Sequence, residues 1–149
     1  MPRPRGGEWL EEEIAGWRDA GIDTVVSLLE GEEIAELELA QEAGLCGTKD
    51  MEFVSFPIPD RGVPVSLSEA SALVRLLSGR LVAGKAVAIH CRAGIGRSAL
   101  IAACVLTCAG YDPSEAFTII TASRRVTVPD TDGQRDWVIS FHAAAGGRA

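Results

Sequence analysis

Cys91 and Arg97 stand six positions apart in the run His90-Cys91-Arg92-Ala93-Gly94-Ile95-Gly96-Arg97-Ser98. A thiol, two glycines and an arginine at this spacing suit an anion cradle that carries its own nucleophile. Lys85 to His90 reads as a strand and Ser98 to Ala109 as a helix, so the turn between them aims several backbone N–H groups and the positive helix end at one point. Gly94 and Gly96 let the backbone turn and approach a ligand without side-chain clash. The planar fork of Arg97 can grip two oxygens of a phosphate dianion. Amide dipoles, the helix terminus and Arg97 all favour the thiolate of Cys91 over the thiol. His90, at the strand end, is expected to orient the loop by hydrogen bonding, and Ser98 to donate to the thiolate as it leaves.

Cleaving a phosphate ester also needs a proton donor for the departing oxygen, and Asp60 is the best candidate. It sits in Pro57-Ile58-Pro59-Asp60-Arg61-Gly62-Val63-Pro64, where three prolines and a glycine forbid helix and central strand. The result is an ordered loop that can close over a substrate. Asp60 lies 31 positions before Cys91, directly after a predicted strand, which brings both residues to the same end of a sheet. Arg61 beside it can add charge.

The elements that must hold these residues follow from periodicity. Trp9, Leu10, Ile14 and Trp17 recur at helical spacing over residues 8–20, with Gly21 as a stop. Asp23 to Leu29 is a short apolar β-branched run and Glu52 to Ile58 alternates, so both read as strands. A second acidic helix is predicted over Glu32–Ala43, ended by Gly44. Ser66 and Glu69 have capping-box spacing for a helix reaching about Val82, and Asp112-Pro113-Ser114-Glu115 opens another. A last helix spans Thr131–Ala144, and the tail 146–149 should fray. Strands alternating with helices predict an α/β fold in three layers, a mostly parallel central sheet with helices on both faces.

At 149 residues and 47% hydrophobic, the chain has the size of one domain, 1–149, with a core of its own. A net charge of −7 disfavours nucleic acid and anionic membranes as partners, since both need a basic face. The basic N-terminus leads into an acidic helix, not an apolar stretch, so it does not read as a signal peptide. Four cysteines without a CxxC pair, and two histidines, point to neither a disulfide scaffold nor a zinc site. Free thiols suit a reducing, cytoplasmic setting. Cys104 and Cys108, and Trp9, Trp17 and Trp137, read as core residues, and Glu8–Glu13 as a solvated helix start. Cys46 could trap an oxidised Cys91, although nothing in the sequence places the two together.

The pattern His-Cys-x5-Arg-Ser with an upstream Pro-Asp loop resembles the protein tyrosine phosphatase superfamily, and the small size and mid-chain cysteine its dual-specificity branch. Within that branch, Phe56-Pro57-Ile58-Pro59-Asp60 with Gly62 and Pro64, and Gly94-x-Gly96-Arg97-Ser98 running into an Ala/Cys/Leu helix, look most like the cyclin-dependent kinase-associated phosphatases. The likeness extends over roughly residues 20–142. It implies the cysteine phosphatase fold, a phosphocysteine at Cys91, phosphate bound by Arg97 and the amides of Arg92, Ala93, Gly94, Ile95, Gly96 and Arg97, and Asp60 as general acid and then base. It further implies that Gln134, on the loop after the phosphate helix, positions the hydrolytic water, the alternative for this residue being a helix-surface role. No metal or other cofactor is implied. The expected substrate is a phosphorylated protein, and the expected state a monomer.

The chain departs from the family in two respects. It has no tyrosine-bearing recognition loop, its only tyrosine being Tyr111, so strict phosphotyrosine preference is not implied. An initial strand usual in the branch is unrecognisable before Glu8, which leaves the start of the domain open upstream. Competing readings are a phosphatase of small phosphorylated metabolites, a phospho-ligand binding module without turnover, and a rhodanese-like sulfur-transfer loop. Intact Cys91, Arg97 and Asp60 argue against a mere binding module, and sulfur transfer would need neither Asp60 nor Ser98.

Overall fold

The computed structural model describes residues 1–146, so residues 147–149 of the tail predicted to fray lie outside the described residues. Three short parallel strands, β1 (Thr24–Ser27), β2 (Glu52–Ser55) and β3 (Val87–His90), lie in the order β2-β1-β3. Val25 pairs with Phe53 and Ala88, and Ser27 with Ser55 and His90. β1 is central and buried at every residue, which is what its unbroken apolar, β-branched run provides for.

Side chains on a strand alternate between faces, and the two valines of β1 divide the core accordingly. Val25 packs with Leu10, Ile14, Leu39 and Met51 beneath α1 (Leu10–Asp19) and α3 (Glu42–Thr48). Val26 packs with Leu77, Leu100, Phe117 and Val138 beneath α4 (Leu67–Val82), α5 (Arg97–Cys108), α6 (Pro113–Arg124) and α7 (Asp132–Gly146). This is the expected three-layer α/β arrangement. The expected caps are also in place, since Ser66 accepts from the Glu69 N–H at 3.2 Å and Asp112 from the Glu115 N–H at 2.8 Å.

The predicted helix over 32–43 is instead two, α2 (Gly31–Glu36) and α3, separated by Glu38 in the left-handed region at φ 56°. The Leu39 N–H returns to the Ile34 carbonyl and the Glu38 N–H to that of Ala35, which satisfies the end of α2 and lets Leu39 enter the core. The N-terminal segment docks into this break, with the Gly7 N–H on the Glu38 carbonyl at 3.0 Å. Gly44, read as a stop, lies inside α3. No strand precedes α1 among the described residues; the segment from Met1 runs beside the end of β3, with the Met1 amine donating to Ile89 O at 2.8 Å.

Two predicted core residues are not buried. Trp9 is 47% exposed, with the Arg5 guanidinium over its ring, and Cys108 is exposed while Cys104, one turn earlier, is buried. Trp17 and Trp137 are partly buried against the two core clusters. No helix among the described residues is long and apolar enough to cross a membrane.

Candidate active site

The turn from β3 into α5 wraps around the sulfur of Cys91, which is 3% exposed. The Gly94 N–H donates to Cys91 Sγ at 3.3 Å, and the Cys91 thiol donates to Ser98 Oγ at 3.3 Å. In the thiolate form the second bond reverses, with the Ser98 hydroxyl as donor. Gly94 has φ 74°, a conformation that strains any residue with a Cβ, and its carbonyl is held by Arg124 Nη1 from the last turn of α6. Gly96 is glycine for a different reason. A Cβ there would sit 2.8 Å from the Gln134 amide and 3.0 Å from Asp130 Cβ.

A cleft of about 280 Å³ opens above the sulfur, lined by Asp60, Arg61, Cys91, Arg92, Ala93, Ile95, Gly96, Arg97, Asp130 and Gln134. Most of the residues singled out in the sequence thus meet at one place. Gly94 and Ser98 lie on the rear of the loop, where they bound a separate open cleft of about 310 Å³, and His90 is buried beneath. Arg92 and Arg61 stand at the rim, paired with Glu36 at 3.1 Å and Asp130 at 3.4 Å.

The grip of Arg97 differs from expectation. Its fork closes on Glu33, with Nη1 to Oε1 at 2.7 Å and Nη2 to Oε2 at 2.9 Å, and the same nitrogens donate to Ile58 O at 3.0 Å and Asp60 Oδ1 at 3.1 Å. All four Nη hydrogens are engaged, which leaves Nε–H, and one Nη2–H only where Asp60 lets go, as what this guanidinium can offer an anion in the cleft. Burial opposes charge on Arg97, but the Glu33 carboxylate outweighs it and raises its pKa. Reciprocally, Arg97 holds Glu33 below the usual carboxylate range despite burial. The Ile58 and Asp60 contacts fasten the proline-rich loop to the cradle, while the Asp60 side chain stays 56% exposed at the mouth.

Gln134 is fully buried, which removes its helix-surface reading. Its Oε1 accepts from the Asp130 and Thr131 N–H groups, each at 3.1 Å, and its Nε2 donates to Gly62 O at 3.1 Å. It therefore ties the loop preceding α7 to the loop that bears Asp60. His90 Nε2 lies 2.6 Å from Glu42 Oε2, and its Nδ1 3.4 Å from the Cys91 carbonyl oxygen.

Glu33, Glu42 and Arg124 are the site residues that the sequence reading passed over. Each meets its partner across a long stretch of chain, and both glutamates lie in the one acidic helix predicted over 32–43. Cys46 has no contact with Cys91. It belongs to the core cluster on the opposite face of the sheet, and burial, with Glu42 nearby, pushes its thiol up to about 12, so it offers little thiolate at neutral pH.

The family model described as a polymorphic toxin system DSP-PTPase phosphatase matches residues 1–111. Protein tyrosine phosphatase domain-containing protein 1 of Bos taurus is 33% identical over 129 residues, which cover 81% of this chain and 16% of that protein. The chain therefore spans about a sixth of this relative's length. Among solved structures, kinase associated phosphatase with its catalytic site cysteine substituted by serine superposes with a TM-score of 0.89 at 19% identity, covering 98% of this chain and 85% of that one. Tk-PTP in its active form gives 0.76 at 26% identity, covering 96% and 88%.

Proposed function

Because the chain belongs to the DSP-PTPase phosphatase family, we propose that it hydrolyses phosphomonoesters of phosphoprotein through a covalent phosphocysteine at Cys91, without a metal, in a reducing compartment. The observation that carries this reading is the convergence of Cys91, Arg97 and Asp60 on one cleft, with Ser98 Oγ 3.3 Å from the sulfur.

In the first step the Cys91 thiolate attacks phosphorus, the ester P–O bond breaks, and the departing oxygen takes a proton from Asp60. Phosphate entering the cradle takes donors from Arg97, so Asp60 is released from that guanidinium as the site fills and is then free to carry a proton. In the second step water attacks phosphorus, Asp60 takes the water's proton, and the P–S bond breaks with its electron pair returning to Sγ. Ser98 donates to the sulfur as it leaves. Gln134 can orient that water by exchanging its Gly62 contact for it.

Hydrolysis of a generic aryl phosphate in the presence of a chelator tests the reading. Wild type should turn over, Cys91→Ser should bind phosphate without turnover, and Asp60→Ala should lose the descending limb of the pH profile. An inactive wild type would sink the catalytic reading in favour of a binding module. A small phosphorylated metabolite is the second reading, favoured by Arg61 and Arg92 at the rim, where a further anionic group could be met. Substrate trapping with Cys91→Ser in a lysate separates it from the first, a phosphoprotein in the trap supporting protein as substrate.

A further inference from the structure

Among the described residues, Glu38, Asp50, Arg61 and Arg125 have a positive φ although none is glycine. Glu38, Asp50 and Arg125 stand just past the ends of α2, α3 and α6, where a left-handed residue closes a helix. Arg61 has no helix to close. The Gly62 N–H returns to the Pro59 carbonyl at 2.8 Å, so Pro59–Gly62 is a β-turn with Asp60 second and Arg61 third. At φ 58° the third place is one that glycine or asparagine fills with less strain. A strained residue beside a catalytic group asks for a function of its side chain. Stability does not supply one. The guanidinium meets Asp130 at 3.4 Å with 67% and 39% of the two side chains exposed, a loose pair that adds little to folding.

We propose that Arg61 is a specificity residue of this site: it turns from Asp130 to bind a second anionic group, carried by the alcohol part of the substrate. The proposal deepens the phosphomonoesterase reading and rests on it. Asp60 must reach the departing oxygen to protonate it, so the next residue on the same turn faces what that oxygen is attached to. Arg61 lines the cleft over Cys91 from there. The other cation at the mouth is Arg92, held by Glu36 at 3.1 Å, whereas Arg97 is enclosed by Glu33, Ile58 and Asp60. An anionic alcohol part therefore meets the carboxylates of Asp60, Asp130 and Glu36 unless a rim guanidinium leaves its partner to receive it. The planar fork of an arginine suits a carboxylate and a phosphoryl group alike.

Matched aryl phosphates test this without turnover. Dissociation constants of phenyl phosphate and meta-carboxyphenyl phosphate are measured by titration calorimetry on Cys91→Ser. The carboxylate should improve binding about fivefold. Adding Arg61→Gly should erase that gain while Tm is held, because glycine suits this turn position. Adding Asp130→Asn should enlarge the gain by removing the rival for Arg61. Equal binding of the two compounds, a gain that survives Arg61→Gly, or one reduced by Asp130→Asn would overturn the proposal. Two further pairs separate the sources of the anion: a phosphoserine peptide flanked by glutamate against one flanked by glutamine, and ethylene glycol bisphosphate against the monophosphate. An Arg61-dependent gain in the peptide pair assigns the group to an acidic flank of a phosphoprotein, and in the glycol pair to a second phosphoryl of a small molecule. No gain in either overturns the proposal for natural substrates. A protein that shows these preferences yet hydrolyses no aryl phosphate refutes the phosphatase reading alone.

Discussion

Arg97 keeps its charge at 2% exposure only because Glu33 meets it with both carboxylate oxygens. Removing one partner of a buried pair strands the other, at a cost of about 3 kcal/mol. Glu33→Gln should therefore lower Tm by roughly 10 °C in a chain of this size, measured by calorimetry. It should also weaken inorganic phosphate binding, since Arg97 loses the anchor that aims it. Ser98 belongs to a later moment. With its hydroxyl 3.3 Å from the sulfur, its proposed part is to assist a departing thiolate more than an attacking one. In rapid-quench kinetics Ser98→Ala should slow breakdown of the phosphocysteine more than its formation, and equal effects would remove this role. Cys91, Arg97 and Asp60 were legible in the sequence because the first two share one short turn and the third sits in a loop that its prolines define. Glu33 and Glu42 were not, because each acts on a partner 64 or 48 residues away and local pattern holds no trace of such pairing.

At the scale of elements, the strands were readable from their β-branched runs, and α4 and α6 from their caps. The α2–α3 break was not. It depends on Glu38 adopting a left-handed conformation and on the N-terminal segment docking against it, and acidic helical periodicity continues through the break regardless. The break shapes the site, since α2 presents Glu33 to Arg97 and α3 presents Glu42 to His90. The junction of α5 with the loop before α7 is equally exacting. A Cβ on Gly96 would press on the Gln134 amide, whereas its own φ of −101° accommodates alanine. Gly96→Ala should consequently fold with Tm within a few degrees of wild type but displace Gln134, and turnover should fall through hydrolysis of the intermediate. An unchanged ratio of burst to steady-state rate would contradict that placement.

For the molecule as a whole, the response to pH follows from carboxylates paired across elements. Glu13, Asp23, Glu33 and Glu52 are all held below their ordinary values, Glu13, Glu33 and Glu52 chiefly by arginine side chains and Asp23 by the Ala86 N–H. Depressed carboxylates bind fewer protons folded than unfolded, so their contribution is complete above about pH 4.5 and is lost as pH falls through the folded values. Thermal denaturation should thus show Tm declining from about pH 5 toward pH 3, with a shallower decline in Glu33→Gln. The same accounting of charge bears on Asp60. In a chain of net charge −7, the cleft over Cys91 is where an anion is welcome, and Asp60 already occupies part of that welcome as a tethered rival for Arg97. Its carboxylate is half in water, so the rivalry amounts to no more than about 1 kcal/mol. Asp60→Ala should accordingly bind inorganic phosphate about two- to fivefold more tightly than wild type by titration calorimetry. On the proposed chemistry, the side chain that protonates the leaving group would then also keep the cradle from being silted up by product phosphate.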